Sequence, residues 1–157
     1  MNLTIEQIEA LKTEIKKMSA SVGNENNYYR KKELYDKLKK FRMILATAKP
    51  IPKPEGEEIT LGSTVHVFIS YNDGKSFFKE EKVLLIVADD TPGLYLDGLD
   101  SITKDSPLGK SLLDNKTIGD DFEFTTPFDE NVNYGTIKDV NKKDSKNVVK
   151  QKMLKKV

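Results

Sequence analysis

The side chains able to do chemistry are few and fall in two short stretches. The first is the polar run Ser21-Val22-Gly23-Asn24-Glu25-Asn26-Asn27-Tyr28-Tyr29, followed at once by the cations Arg30, Lys31 and Lys32. Backed by Lys37, Lys39, Lys40 and Arg42, these groups suit the phosphates of a nucleic acid; a solvated helix face is the other account of them. Tyr28 and Tyr29 offer rings for stacking on a base, or for packing at the end of a helical seam. Glu25 is a lone carboxylate of the kind that the positive end of a helix favours. The second stretch is Asp105-Ser106-Pro107-Leu108, in which Ser as N-cap and Pro at the first helical position make a helix start.

Other chemistry is thinly provided. The chain has no cysteine, which removes disulfides and thiolate metal sites. His66 stands without a neighbouring ligand pattern, and Gly93, Gly98, Gly109 and Gly119 form no phosphate-cradling motif. No metal site of its own and no small-molecule substrate is expected.

The elements that must position these residues follow from composition and spacing. With 157 residues, 37% hydrophobic and 32% charged, the chain has enough for one ordinary core but not for two large ones. Its longest apolar run is Val83-Leu84-Leu85-Ile86-Val87, far short of the roughly 18 residues that span a bilayer. The start, Met-Asn-Leu-Thr-Ile-Glu-Gln, lacks a basic and an apolar targeting region. A cytoplasmic protein with no membrane partner is expected. The net charge of +1 hides a strong segregation: +5 over residues 1–49, −10 over 57–140 and +6 over 141–157. A basic part and an acidic part of this kind face different partners.

Ile8, Leu11, Ile15, Met18 and Val22 recur at spacings of 3 and 4, as do Leu34, Leu38, Phe41, Leu45 and Ala48. Thr4 and Gln7 have capping-box spacing, Gly23 would stop the first helix, and the second would run from about Asn26 to Ala48. Two such helices bury their stripes by folding back on each other, so residues 1–49 form an antiparallel coiled-coil hairpin with its tip at 21–27. Pro50, Pro52 and Pro54 make residues 50–57 an extended linker.

From Glu58 the period changes to two. Strands are expected at 64–71 and 82–88, around Leu94 and Leu96, around Phe122 and Phe124, and from Val132 to Val140 with a bulge near Gly135. Asn72-Asp73-Gly74 marks a turn, and residues 106–113 a short helix. Residues 58–141 thus form a small antiparallel sheet carrying one helix, which makes the fold class α+β. Residues 142–157 read as a basic tail, either without fixed structure or as a frayed amphipathic helix.

The order of these pieces resembles the Gre family of bacterial transcript-cleavage factors. Ile59-Thr60-Leu61-Gly62-Ser63-Thr64-Val65 resembles the opening of the family's C-terminal domain, and Asp105-Ser106-Pro107-Leu108 with Ile118-Gly119-Asp120 its middle. Glu25-Asn26-x-x-Tyr29 resembles the hairpin tip and Ala48-x-x-Ile51 the helix exit. The resemblance implies an FKBP-like β domain that docks on RNA polymerase at the rim of the secondary channel, with Asp105, Ser106, Pro107 and Leu108 as the docking contact. It further implies a hairpin that enters the channel, where Arg30, Lys31 and Lys32 would meet extruded RNA or the channel wall. Family tips carry two acidic residues that help hold the polymerase's second Mg²⁺, so that it cuts backtracked RNA. Here Glu25 supplies one of the two, because Val22 stands three residues before it and Asn24 is neutral. The hairpin is also about half the usual length. The expectation is an accessory factor that is not itself an enzyme, that shares the polymerase's Mg²⁺ at most, and that binds the channel region with or without an effect on cleavage. The alternatives are a prolyl isomerase, for which the absence of Trp and the scatter of Phe and Tyr give little sign of a pocket, and a pure interaction module.

Overall fold

The computed structural model describes residues 1–72, 74–126 and 129–142, with Asp129 and Glu130 described in backbone alone. The expected tail at 142–157 therefore lies outside the described residues except for Lys142, as does Asp73 of the expected turn. The chain divides into two compact units, one of Met1–Pro52 with Thr91–Leu96 and one of Lys53–Asp90 with Asp97 onward.

In the helical unit, β1 (Asn2–Thr4) leads directly into α1 (Ile5–Asn24). The capping box forms as its spacing predicts: Gln7 N–H donates to Thr4 Oγ1 at 3.1 Å, and Thr4 N–H donates to Gln7 Oε1 at 2.9 Å. A second helix, α2 (Tyr28–Thr47), folds back so that Leu11 and Met18 pack with Leu38 and Phe41. Ile8, Ile15, Val22, Leu45 and Ala48 line the same cluster, so the two stripes of 3–4 spacing, Leu34 apart, become one seam. Each fully buried Leu or Phe there stabilises by about 1.5–3 kcal/mol.

Three local expectations change. Gly23 does not stop α1; the helix runs on to Asn24 and ends because Glu25 takes an extended conformation, φ −85° and ψ 125°. A glycine in helical conformation there costs about 1 kcal/mol relative to Ala. Helix α2 begins two residues later than expected, because Asn27 spends its side chain as the N-cap, accepting from Tyr29 N–H at 3.1 Å and Arg30 N–H at 3.2 Å. The Pro-rich segment is not wholly linker: Lys49–Ile51 form β2, paired in parallel with β1 in the register Asn2↔Lys49 to Thr4↔Ile51. Strands of three residues, one holding a Pro, fall below what alternation reveals.

The expected strand at Leu94 and Leu96 is absent. Gly93 and Gly98 both take positive φ, 80° and 71°, and left-handed residues so closely spaced break any ladder. Leu94 instead packs into the helical cluster, and Gln7 Nε2 donates to Thr91 Oγ1 at 3.5 Å.

The second unit is a five-stranded sheet. Its members are β3 (Thr64–Asn72), β4 (Phe77–Val87), β5 (Asp100–Thr103), β6 (Asp121–Thr126) and β7 (Asp129–Val140), in the order β5-β4-β3-β7-β6. The sheet is mixed rather than antiparallel, since β4 and β5 run parallel, Leu84↔Asp100 to Val87↔Thr103. The excursion through residues 88–99 lets the chain return in the same direction, which a two-residue hairpin cannot do. Val65, Val67 and Ile69 alternate onto one face and pack with Leu84, Ile86, Phe122, Phe124 and Ile137. Helix α3 (Pro107–Leu113) closes that face with Leu112.

Register in β7 shifts at Lys138 and again between Val132 and Asp129, not at Gly135: against β3, His66 pairs with Asp139 and Val67 with Ile137, leaving Lys138 as the extra residue. Gly135 is in register between Ile69 and Phe122, and its missing side chain makes room for the Phe122 ring. On the outer face His66 is buried and its Nε2 lies 2.6 Å from Glu81 Oε1. Lys82 ties the edge strand on, with its Nζ 3.3 Å from Asp100 Oδ2. Burial works against the Lys82 ammonium, but Tyr71, Asp100 and Glu80 together hold its pKa above the ordinary lysine value.

Candidate functional site

The hairpin tip is built by side chains acting on backbone. Glu25 Oε1 accepts from Asn27 N–H at 3.0 Å, and Asn27 in turn caps α2, so the two residues hold the reversal between the helices. Val22, at the position where a second tip carboxylate was sought, is half-buried against the helical seam. Arg30, Lys31 and Lys32 are exposed at the first turns of α2, which carries no acidic residue in its first turn. Cations there oppose the helix dipole, at about 0.3–1 kcal/mol each. Their placement works against the helix and in favour of an anion. The Tyr28 and Tyr29 rings do not pack into the seam: they are 71% and 76% exposed and meet edge to face at 5.6 Å.

A hollow of about 400 Å³ at the tip is lined by Glu25, Arg30, Glu33, Leu34 and Lys37. Sequence reasoning missed Glu33, although its position in the second turn of α2 follows from helical periodicity once Asn27 is known as the cap. Two carboxylates alternate with two cations in this hollow. The neighbouring Arg30 and Lys37 charges oppose a divalent ion, so the donor set does not fit a resident Mg²⁺. Among the described residues no group of three His, Cys, Asp or Glu is placed to hold a metal.

The second candidate lies at the start of α3. Ser106 Oγ donates to Thr103 O at 2.7 Å and accepts from Gly109 N–H at 3.0 Å, fastening the helix start to β5. Leu108 packs against the sheet core. Ser106 and Leu108 are thus committed inward, while Asp105 and Pro107 are exposed. Pro107 opens onto a trough of about 700 Å³ between α3 and β6, flanked by Lys110, Lys116, Asp121, Glu123 and Tyr134. No sequence spacing linked Tyr134 with Pro107, because β7 and α3 meet only through the sheet.

Along the sequence the aromatic residues are scattered. The fold gathers four of them: Tyr71 stacks on Phe78 at 5.0 Å and meets Phe124 edge-on at 6.4 Å, and Phe124 stacks on Phe122 at 6.2 Å.

Among the solved structures similar to this chain are three of Gfh1 proteins. One is a crystal structure of the GreA factor homolog 1 (Gfh1) protein of Thermus thermophilus, 20% identical, with a TM-score of 0.39 and 90% of this chain and 99% of that one covered. Another is Thermus aquaticus Gfh1, 18% identical, with a TM-score of 0.39 and coverage of 90% and 98%. The third, described as the transcription factor Gfh1, is 21% identical with a TM-score of 0.37 and coverage of 90% and 97%. No family model matches the chain, and no curated protein does. TM-scores below 0.5 carry no functional inference, which rests instead on this chain's own residues. No helix among the described residues is long and apolar enough to cross a membrane.

Proposed function

We propose that the chain is a Gre-like accessory factor that binds RNA polymerase near its secondary channel and regulates transcription elongation without donating a metal site. The observation that carries this reading is the tip itself. A hairpin of two 20-residue helices presents three cations at a helix start that they destabilise, beside Glu25, whose carboxylate is already engaged in the turn. Such a tip suits contact with RNA phosphates or an acidic channel wall. The outward placement of Asp105 and Pro107 supports these two, rather than Ser106 and Leu108, as direct docking contacts in the acidic β unit.

The test uses purified core polymerase. Asp105→Arg combined with Pro107→Ala weakens binding about tenfold, on the order of 1.4 kcal/mol, while Glu25→Ala leaves binding unchanged. Failure to bind core polymerase, with no change in elongation or cleavage in stalled complexes, sinks the reading. Full cleavage stimulation that is lost in Glu25→Ala would instead restore a metal-assisting role to that carboxylate.

The half-buried Tyr71 ring, stacked on the exposed Phe78 at 5.0 Å, favours one second reading, recognition of a proline-containing peptide by the β unit. A peptidyl-prolyl turnover assay separates the two: turnover that Tyr71→Ala abolishes supports isomerase activity, and no turnover removes it.

A further inference from the structure

The outer face of the sheet carries an incompletely covered patch. Tyr134 is 53% exposed on β7, and Phe68 lies on β3 two pairs along. Between them is a hollow of about 370 Å³ lined also by Ser70, Lys79, Asp121 and Thr136. Carboxylates predominate around it: Asp121, Glu123, Glu81 and Asp139 share this face with Lys79 and Lys138.

The chain is turned at the end of this face. Asn141 takes a left-handed conformation, φ 57°, that ends β7. It is pinned there by four contacts: its N–H donates to Thr64 O at 2.8 Å, its Oδ1 accepts from Thr64 N–H at 3.1 Å, and its Nδ2 donates to Gly56 O at 2.7 Å and Glu58 O at 3.4 Å. Lys142 then sits with Nζ 2.8 Å from Asp139 Oδ2. The reversal directs the first residue of the basic segment onto a carboxylate of the outer face.

We propose that residues 143–157 of the same chain dock across this face, with Lys side chains on its carboxylates and an apolar side chain in the hollow beside Tyr134. The charge is complementary: the face sets four carboxylates against two lysines, and residues 143–157 hold six Lys against one Asp. The segment brings Val148, Val149, Met153 and Leu154 as apolar occupants. Reach is sufficient, since fifteen residues extend about 22 Å even as a helix, and Asp139 lies only about 10 Å along the strand from Thr136. This interaction is independent of polymerase binding.

The absence of cysteine makes the test direct, because Lys152→Cys gives one attachment point for a nitroxide on the full chain. At low salt the amide signals of Phe68, Ser70, Tyr134 and Thr136 are lost to paramagnetic broadening. The signals return at about 1 M salt, where the Debye length is about 3 Å. They also return when Tyr134→Ala and Asp121→Asn are added. Broadening spread evenly over the chain, confined to the helical unit, or seen only on an isotope-labelled second copy in a mixed sample overturns the proposal. So does broadening of the outer face that the two substitutions leave intact.

Discussion

Gly109→Ala is expected to lower the melting temperature by about 6–12 °C, the consequence of about 3 kcal/mol of overpacking. A Cβ at this position would stand 2.1 Å from the carbonyl oxygen of Thr103 and 3.0 Å from Ser106 Oγ. Both are parts of the bracket that holds α3 to β5. The Thr103 carbonyl accepts from Ser106 N–H and from Ser106 Oγ, and Ser106 Oγ caps the helix through Gly109 N–H. A backbone oxygen has nowhere to swing, so either the helix start lifts or the strand end shifts. Either movement displaces Asp105 and Pro107, so the proposed polymerase binding should weaken with stability in this variant. Thermal unfolding followed by circular dichroism checks the first effect. An unchanged melting temperature would mean that α3 shifts outward freely and that the bracket is not tight.

The second large effect belongs to Gly135. An added Cβ would fall 2.2 Å from Phe122 Cζ and 2.8 Å from both neighbouring ring carbons. Phe122 is 3% exposed and stacked on Phe124, so its ring has little room to retreat. Gly135→Ala should cost about 2 kcal/mol. The cause can be isolated by a double-mutant cycle with Phe122→Leu, whose shorter side chain removes the collision. The pair should be more stable than the sum of the single losses by more than about 0.5 kcal/mol. Simple additivity in denaturant unfolding would show that the glycine is needed for its backbone and not for the ring.

These two glycines mark where sequence reading stopped. In the sequence Gly109 stands in no phosphate-cradling motif and Gly135 marks an expected bulge. Each is required by an atom distant along the chain or across a ladder, and neither requirement leaves a local spacing. Against β3 the bulge lies three residues further on, at Lys138, because register is settled jointly by β3 and β7.

What is local was legible. The capping box of Thr4 and Gln7, the 3–4 stripes of the hairpin, the cap at Ser106 with Pro107 behind it, and the alternation of Val65, Val67 and Ile69 all depend on residues within a turn or a strand of one another. Those interactions determine the α+β order and the segregation of charge between its parts. What required the tertiary structure was every feature that brings distant segments together. Parallel pairing of β1 with β2 and of β4 with β5, the placement of Leu94 in the helical unit, the four gathered rings, and Glu33 beside Glu25 are of this kind. The physical reason is that periodicity reports which face of an element is apolar, but not which other element covers it. At the tip this difference decides the chemistry, since Glu25 is a carboxylate in any conformation, while only the folded turn engages it with Asn27 and sets cations beside it.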